Sequence, residues 1–99
     1  MQIKSVSDKR VRALVEKPNL TSVKGLDARE TRKISDMIAA IRVASHPRQL
    51  QTVASWKVHE LTPKFPGKWS LMVTGNYRLT FYFDASTQSI RDVDYEDYH

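Results

Sequence analysis

Near residue 50 the hydrophobic period of this chain changes from the 3.6 of a helix to the 2 of a strand, which restricts the fold to helices followed by a sheet. Before the change, Val11, Leu14 and Val15 fall at helical spacing behind Ser7-Asp8, an N-cap signal, and Pro18 ends that helix. Asp27 and Glu30 form a capping-box-like start for a second helix of about four turns. Its apolar stripe is Ile34, Met37, Ile38 and Ile41, and it fades near Ala44. Arg29, Arg32, Lys33 and Arg42 lie on its other side, a pattern that reads as a solvated face. His46-Pro47 starts a short turn, with His46 as a capping or surface residue and Pro47 at the first helical position.

After the change, Trp56 and Val58 alternate with Lys57 and His59, and Trp69, Leu71 and Val73 with Ser70, Met72 and Thr74. Tyr77, Leu79, Phe81 and Phe83 alternate with Arg78, Thr80 and Tyr82. Gly75-Asn76 signals a tight hairpin because both residues tolerate positive φ. Asp84 to Gln88 makes a looser turn, Ile90 to Tyr95 a last strand, and Ile3 to Val6 a short first one. The expected fold is α+β: two N-terminal helices packed on one face of an antiparallel sheet. The expected core contains Ile34, Ile38, Ile41, Trp56, Leu71, Leu79, Phe81 and Val93.

A chain of 99 residues has room for one hydrophobic core, so residues 1–99 read as a single domain. It contains no cysteine, which removes disulfides and thiolate metal sites and is compatible with a reducing cytoplasm. The amino terminus lacks a signal-peptide core, and no apolar run approaches the roughly 18 residues that would span a membrane. A net charge of +5 favours polyanionic partners: nucleic acid, the ribosome or an acidic protein.

Alternation places Lys57, His59, Arg78, Thr80 and Tyr82 on the sheet face away from the helices. The chain then ends in Asp94-Tyr95-Glu96-Asp97-Tyr98-His99, which gathers acid, phenol and imidazole in six residues. Phosphodiester cleavage needs one group to take a 2′-hydroxyl proton, one to stabilise the phosphorane and one to protonate the leaving oxygen. Each residue also has a plainer reading. His59 could be structural, Arg78 could pair with Asp92 or Asp94 across the sheet, and the tail could be frayed polypeptide. On this chemistry alone, a basic globular domain outranks a nuclease. Three scattered histidines make no zinc signature, and the sequence has no glycine-rich phosphate loop, HExxH or nucleophile elbow.

Four ordered strings reverse that ranking: Trp56-Lys57-Val58-His59-Glu60-Leu61, Gly67-Lys68-Trp69-Ser70-Leu71, Gly75-Asn76-Tyr77-Arg78-Leu79-Thr80-Phe81 and the terminal Asp92 to His99. They resemble the "KLHPL", "G-x-W-S-I", "N-W/Y-R-(I/L)-x-F" and terminal "Y-E-D-Y-H" segments of the HigB branch of the RelE/ParE toxin superfamily. The resemblance covers the second half of the chain at compatible spacing; the helical half agrees in layout more than in residues. It implies a compact RelE-like fold and a bacterial, cytoplasmic toxin of a type II toxin–antitoxin system. It also implies cleavage of mRNA in the A site of the 70S ribosome, by metal-independent acid–base catalysis with no cofactor. The implied partner is a HigA-like helix-turn-helix antitoxin, through which alone operator DNA would be contacted.

Carried across, His59, Asp97, Tyr98 and His99 match the catalytic group, and Arg78 matches the arginine expected on the scissile phosphate. Lys57 and Lys64 are further candidates for RNA contact. This sequence departs from the pattern at Thr62, where a lysine is common, and at Glu60, where proline stands. Lys64 is then expected to supply the missing charge from a shifted position, and Glu60 to point away from His59. A ParE-like inhibitor of DNA gyrase and a non-catalytic basic RNA- or ribosome-binding module are the competing readings.

Overall fold

Asp8 begins the first helix as the sequence predicts, its carboxylate accepting from the backbone N–H groups of Arg10 and Val11 in a computed structural model that describes residues 1–97. Helix α1 is Lys9–Glu16 and stops before Pro18; α2 is Ala28–Val43. Both halves of the α2 capping box form, with Glu30 N donating to Asp27 and Asp27 N donating back to Glu30. Two 3₁₀ turns follow, Pro47–Thr52 and Ala54–Trp56. His46 caps the first by accepting the Arg48 N–H at 3.0 Å, and its ring packs edge-on against Trp69 and Phe83. No helix among the described residues is long and apolar enough to cross a membrane.

Five strands form one sheet: β1 (Gln2–Ile3), β2 (His59–Glu60), β3 (Lys68–Met72), β4 (Tyr77–Asp84) and β5 (Ser89–Asp97), in the order β1-β5-β4-β3-β2. From β2 to β5 the sheet is the expected antiparallel meander. It is not antiparallel throughout, because β1 runs parallel to β5, with Gln2 opposite Ser89 and Ile3 opposite Ile90. A parallel pair needs a long crossover, and here everything between the two strands serves as one. The Val6–Val93 bridge continues this edge.

Helices and sheet close on each other through one set of side chains. Val11, Leu14, Ile34, Met37, Ile38 and Ile41 are buried in the same core as Trp69, Leu71, Leu79, Phe81, Ile90, Val93 and Tyr95. All eight core residues expected from the sequence are buried. Tyr95 brings its phenol to this side too, stacking on Tyr77 and donating to Glu30 of α2. Burial, and then the Glu30 carboxylate that its proton serves, push the Tyr95 hydroxyl far above its ordinary range.

Two local expectations are overturned. Trp56 lies in a 3₁₀ turn rather than a strand, and Lys57 is left-handed with φ of 46°. The alternation survives in burial, since Trp56 and Val58 are buried while Lys57 and His59 are exposed, so the period reported sidedness and not strand geometry. The hairpin between β3 and β4 also does not use positive φ at Gly75 or Asn76. It is held by Thr74, whose Oγ1 accepts from the N–H groups of Asn76 and Tyr77 at 3.2 and 3.0 Å.

That turn chemistry makes a prediction. Thr74→Val should lower unfolding free energy by about 1 kcal/mol, the worth of a lost hydrogen-bonding group. Gly75→Ala should be neutral or stabilise by roughly 0.4–1 kcal/mol, because a Cβ there meets nothing within 4 Å and the backbone needs no glycine. Urea denaturation of the two variants decides it; a clear loss for Gly75→Ala would restore the positive-φ turn.

Candidate active site

The sheet face away from the helices is organised in rungs. Register places His59, Ser70, Thr80 and Asp94 in one row across β2, β3, β4 and β5. On one side lies the row Lys68, Tyr82, Arg91, and on the other Met72, Arg78, Glu96. Arg91 and Asp94 share this face although three residues apart, because the β4–β5 register shifts between Thr80 and Tyr82 and Asp92 takes a left-handed φ of 52°.

The middle row is not open, as the alternation suggested for Thr80. Ser70 and Thr80 are wholly buried because longer neighbours arch over them. Lys68 Nζ meets Glu96 Oε2 at 3.0 Å, and the Thr80 hydroxyl donates to the same oxygen. Partial burial opposes ionisation of Glu96, but the Thr80 hydroxyl and Lys68 ammonium outweigh it and hold the carboxyl below its ordinary range. Among the described residues, Ser70 Oγ is buried with no hydrogen-bond partner.

Beside this bridge opens a cleft of about 520 Å³, lined by Leu61, Thr62, Lys64, Phe65, Lys68, Glu96 and Asp97. The structure therefore brings together two of the expected site residues, Lys64 and Asp97. Lys64 is on the loop after β2, and Lys68 is a second cation that the sequence did not single out. Only register could have found Lys68, since residues 68 and 96 meet across two strand boundaries.

His59 stands on the edge strand, in the row beside the cleft. Its Nδ1 lies 2.8 Å from the Lys57 carbonyl, which can only accept, so the proton sits on Nδ1 in the neutral ring. That leaves Nε2 with the lone pair, on an exposed side chain. Lys57 contributes this carbonyl, while its own side chain is exposed outside the cleft lining. Glu60 turns to the opposite face, as expected, where it accepts the Gly67 N–H at 2.9 Å and closes the loop.

Arg78 is half-buried opposite Glu96 in register, outside the cleft lining, and its Nη1 donates to the Thr74 carbonyl at 3.0 Å. Asp92 and Asp94, the cross-strand partners that the sequence offers Arg78, lie elsewhere in the register, with Asp94 opposite Thr80 and Asp92 bridged to Arg91. Tyr95, part of the terminal group by sequence, faces the helices instead. Tyr98 and His99 lie outside the described residues. Among those described, no three His, Asp or Glu side chains gather as a metal site would require.

No family model matches the chain. Endoribonuclease HigB from Proteus vulgaris is 36% identical over 97 residues, spanning 98% of this chain and 99% of that protein. Among solved structures, a YoeB/ParE toxin from Agrobacterium tumefaciens aligns over the full length of both chains with a TM-score of 0.58 and 19% identity. The latter likeness is one of fold, and it agrees with helices on one face of a five-stranded sheet.

The Glu96 bridge has a pH signature. Because its carboxyl is held low in the folded state, its stabilisation is complete above the ordinary carboxylate range and is lost as pH falls through the folded-state value. Glu96→Gln should flatten the fall in thermal midpoint below about pH 4.3 relative to the unmutated chain. Superimposable acid limbs would show that the bridge contributes nothing in solution.

Proposed function

This chain belongs to the HigB endoribonuclease family of the RelE/ParE toxin superfamily, and from that membership we propose that it cleaves mRNA on the ribosome as the toxin of a type II toxin–antitoxin pair. The observation that carries the chemistry is the 2.8 Å contact between His59 Nδ1 and the Lys57 carbonyl. With Nδ1–H committed to the Lys57 carbonyl, Nε2 is the acceptor that a 2′-hydroxyl needs.

The 2′-oxygen attacks phosphorus as its proton passes to His59 Nε2. The bond from phosphorus to the 5′-oxygen breaks, and His99 protonates that oxygen. The products are a 2′,3′-cyclic phosphate and a 5′-hydroxyl. Arg78 stabilises the charge on the phosphorane; its planar guanidinium meets two phosphate oxygens at once. Asp97 orients an imidazole or takes a proton itself, and Tyr98 stacks on or hydrogen-bonds to the RNA. Lys64, in the cleft with Asp97, supplies the charge that Thr62 does not, and Lys57 adds to the basic edge. No step calls on a metal or cofactor.

Positioning of the message falls to the ribosome, through the orientation term that can dominate such reactions. In this reading the protein acts in the bacterial cytoplasm and is neutralised by a HigA-like helix-turn-helix antitoxin, which alone links it to operator DNA.

Primer extension on translating ribosomes tests the proposal. The chain should cut message on ribosomes far faster than naked RNA. His59→Gln and His99→Gln should each lose two or more orders of magnitude, and Arg78→Ala should lose rate while keeping its fold. Equal cutting of free and ribosome-bound RNA would remove the ribosome from the account. Growth arrest without message cleavage would point instead to another target, such as gyrase.

A further inference from the structure

Beside the His59 row, cations and aromatic rings alternate in a line across the open face. Lys64 Nζ lies 5.8 Å from the Phe65 ring centroid, and Lys68 Nζ lies 5.2 Å from the same ring on the cleft side. Lys68 is also 5.7 Å from the Tyr82 ring, and the Arg91 guanidinium is 4.5 Å from Tyr82. Four contacts of this kind, each within about 6 Å, fall together on one face, and an explanation has to account for all of them. Core packing does not give it. Phe65 keeps 40% of its surface exposed on the loop after β2, so its ring is available to a ligand.

We propose that the line Lys64, Phe65, Lys68, Tyr82, Arg91 is a track for a short stretch of single-stranded RNA: the message flanking the cut. This rests on the endoribonuclease reading. The middle cation is already satisfied by Glu96 and acts as a strut, holding two rings on either side of one ammonium. The outer cations face solvent. Arg91 is paired with Asp92, but both are exposed, and an exposed pair is worth about 0–1 kcal/mol and is readily exchanged for phosphate.

Rings that accept bases and flanking cations that accept phosphates are how proteins hold single strands without reading sequence. A duplex cannot use the rings, because its bases are stacked on each other. The track lies one rung from His59, about 7 Å along the strands, where nucleotides next to the scissile phosphate pass.

The test is binding of a short 2′-O-methyl RNA oligonucleotide, which the protein cannot cleave, followed by fluorescence anisotropy. Phe65→Leu and Tyr82→Leu should each weaken binding roughly tenfold, and Tyr82→Phe should restore it. An abasic strand of equal length should bind the unmutated protein as weakly as those variants. Neutralising both outer cations (Lys64→Gln with Arg91→Gln) should reduce the salt slope of log affinity by about 1.4. Leucine variants that bind like the unmutated chain, or a duplex that binds as well as the single strand, overturn the track. On programmed ribosomes, a message made abasic beside the cut should be cleaved more slowly. Unchanged cleavage would assign the rings to ribosomal RNA and overturn the proposal as stated. If the unmutated chain binds the oligonucleotide with this profile yet cuts no message on ribosomes, the nuclease reading fails and the track does not.

Discussion

Leu71, Leu79, Phe81, Val93 and Tyr95 are buried in one core with the apolar stripes of α1 and α2, and that contact fixes the parity of every strand. A slip of one residue in β4 would turn Leu79 and Phe81 to solvent and bury Arg78 and Tyr82 instead. Core packing is therefore what decides which side chains the outward face presents. The β5 irregularity at Asp92 belongs to the same constraint: it lets Ile90 and Val93 both face inward while Arg91 and Asp94 both face out. Tyr95 ties the two layers at their edge, through Glu30 on one side and the Arg10 guanidinium over its ring on the other.

The outward face that results is electrostatically organised rather than merely basic. A free carboxylate on this face would repel RNA, yet Glu96 is paired with Lys68 and accepts the Thr80 hydroxyl. The buried Ser70 hydroxyl beneath shows how tightly the arch closes. The candidate groups are thereby distributed along the rungs, with His59 and its Lys57 carbonyl contact in one row, a cleft containing Lys64 and Asp97 beside it, and cation-flanked rings on the adjoining row.

Features set by neighbours in the chain were legible from sequence: the Asp8 and His46 caps, the Asp27–Glu30 box, the buried stripe of α2 and the sidedness of β3 and β4. Features set by distant partners were not. Nothing local in Gln2-Ile3 announces a parallel partner at Ser89-Ile90. Nothing at Trp56 distinguishes a 3₁₀ turn from a strand that buries the same side chains. The Thr74 hydroxyl competed with the more familiar Gly-Asn signal one residue on and won. At the candidate site, His59, Arg78 and the terminal group were proposed from family resemblance and alternation; register puts His59 and Arg78 on the outward rows, and Tyr98 and His99 lie outside the described residues. The Lys68–Glu96 bridge was hidden because it joins side chains 28 residues apart that only register brings together.

Cleavage by an imidazole acting on a 2′-hydroxyl leaves a chemical mark on its products, which makes the identity of the new RNA ends the most direct test of the account. End-group analysis of message cut by this protein on ribosomes should find a 2′,3′-cyclic phosphate, or the 3′-phosphate it opens to, paired with a 5′-hydroxyl. A 3′-hydroxyl paired with a 5′-phosphate would mean that water, not the 2′-oxygen, attacked phosphorus, and would contradict the role given to His59.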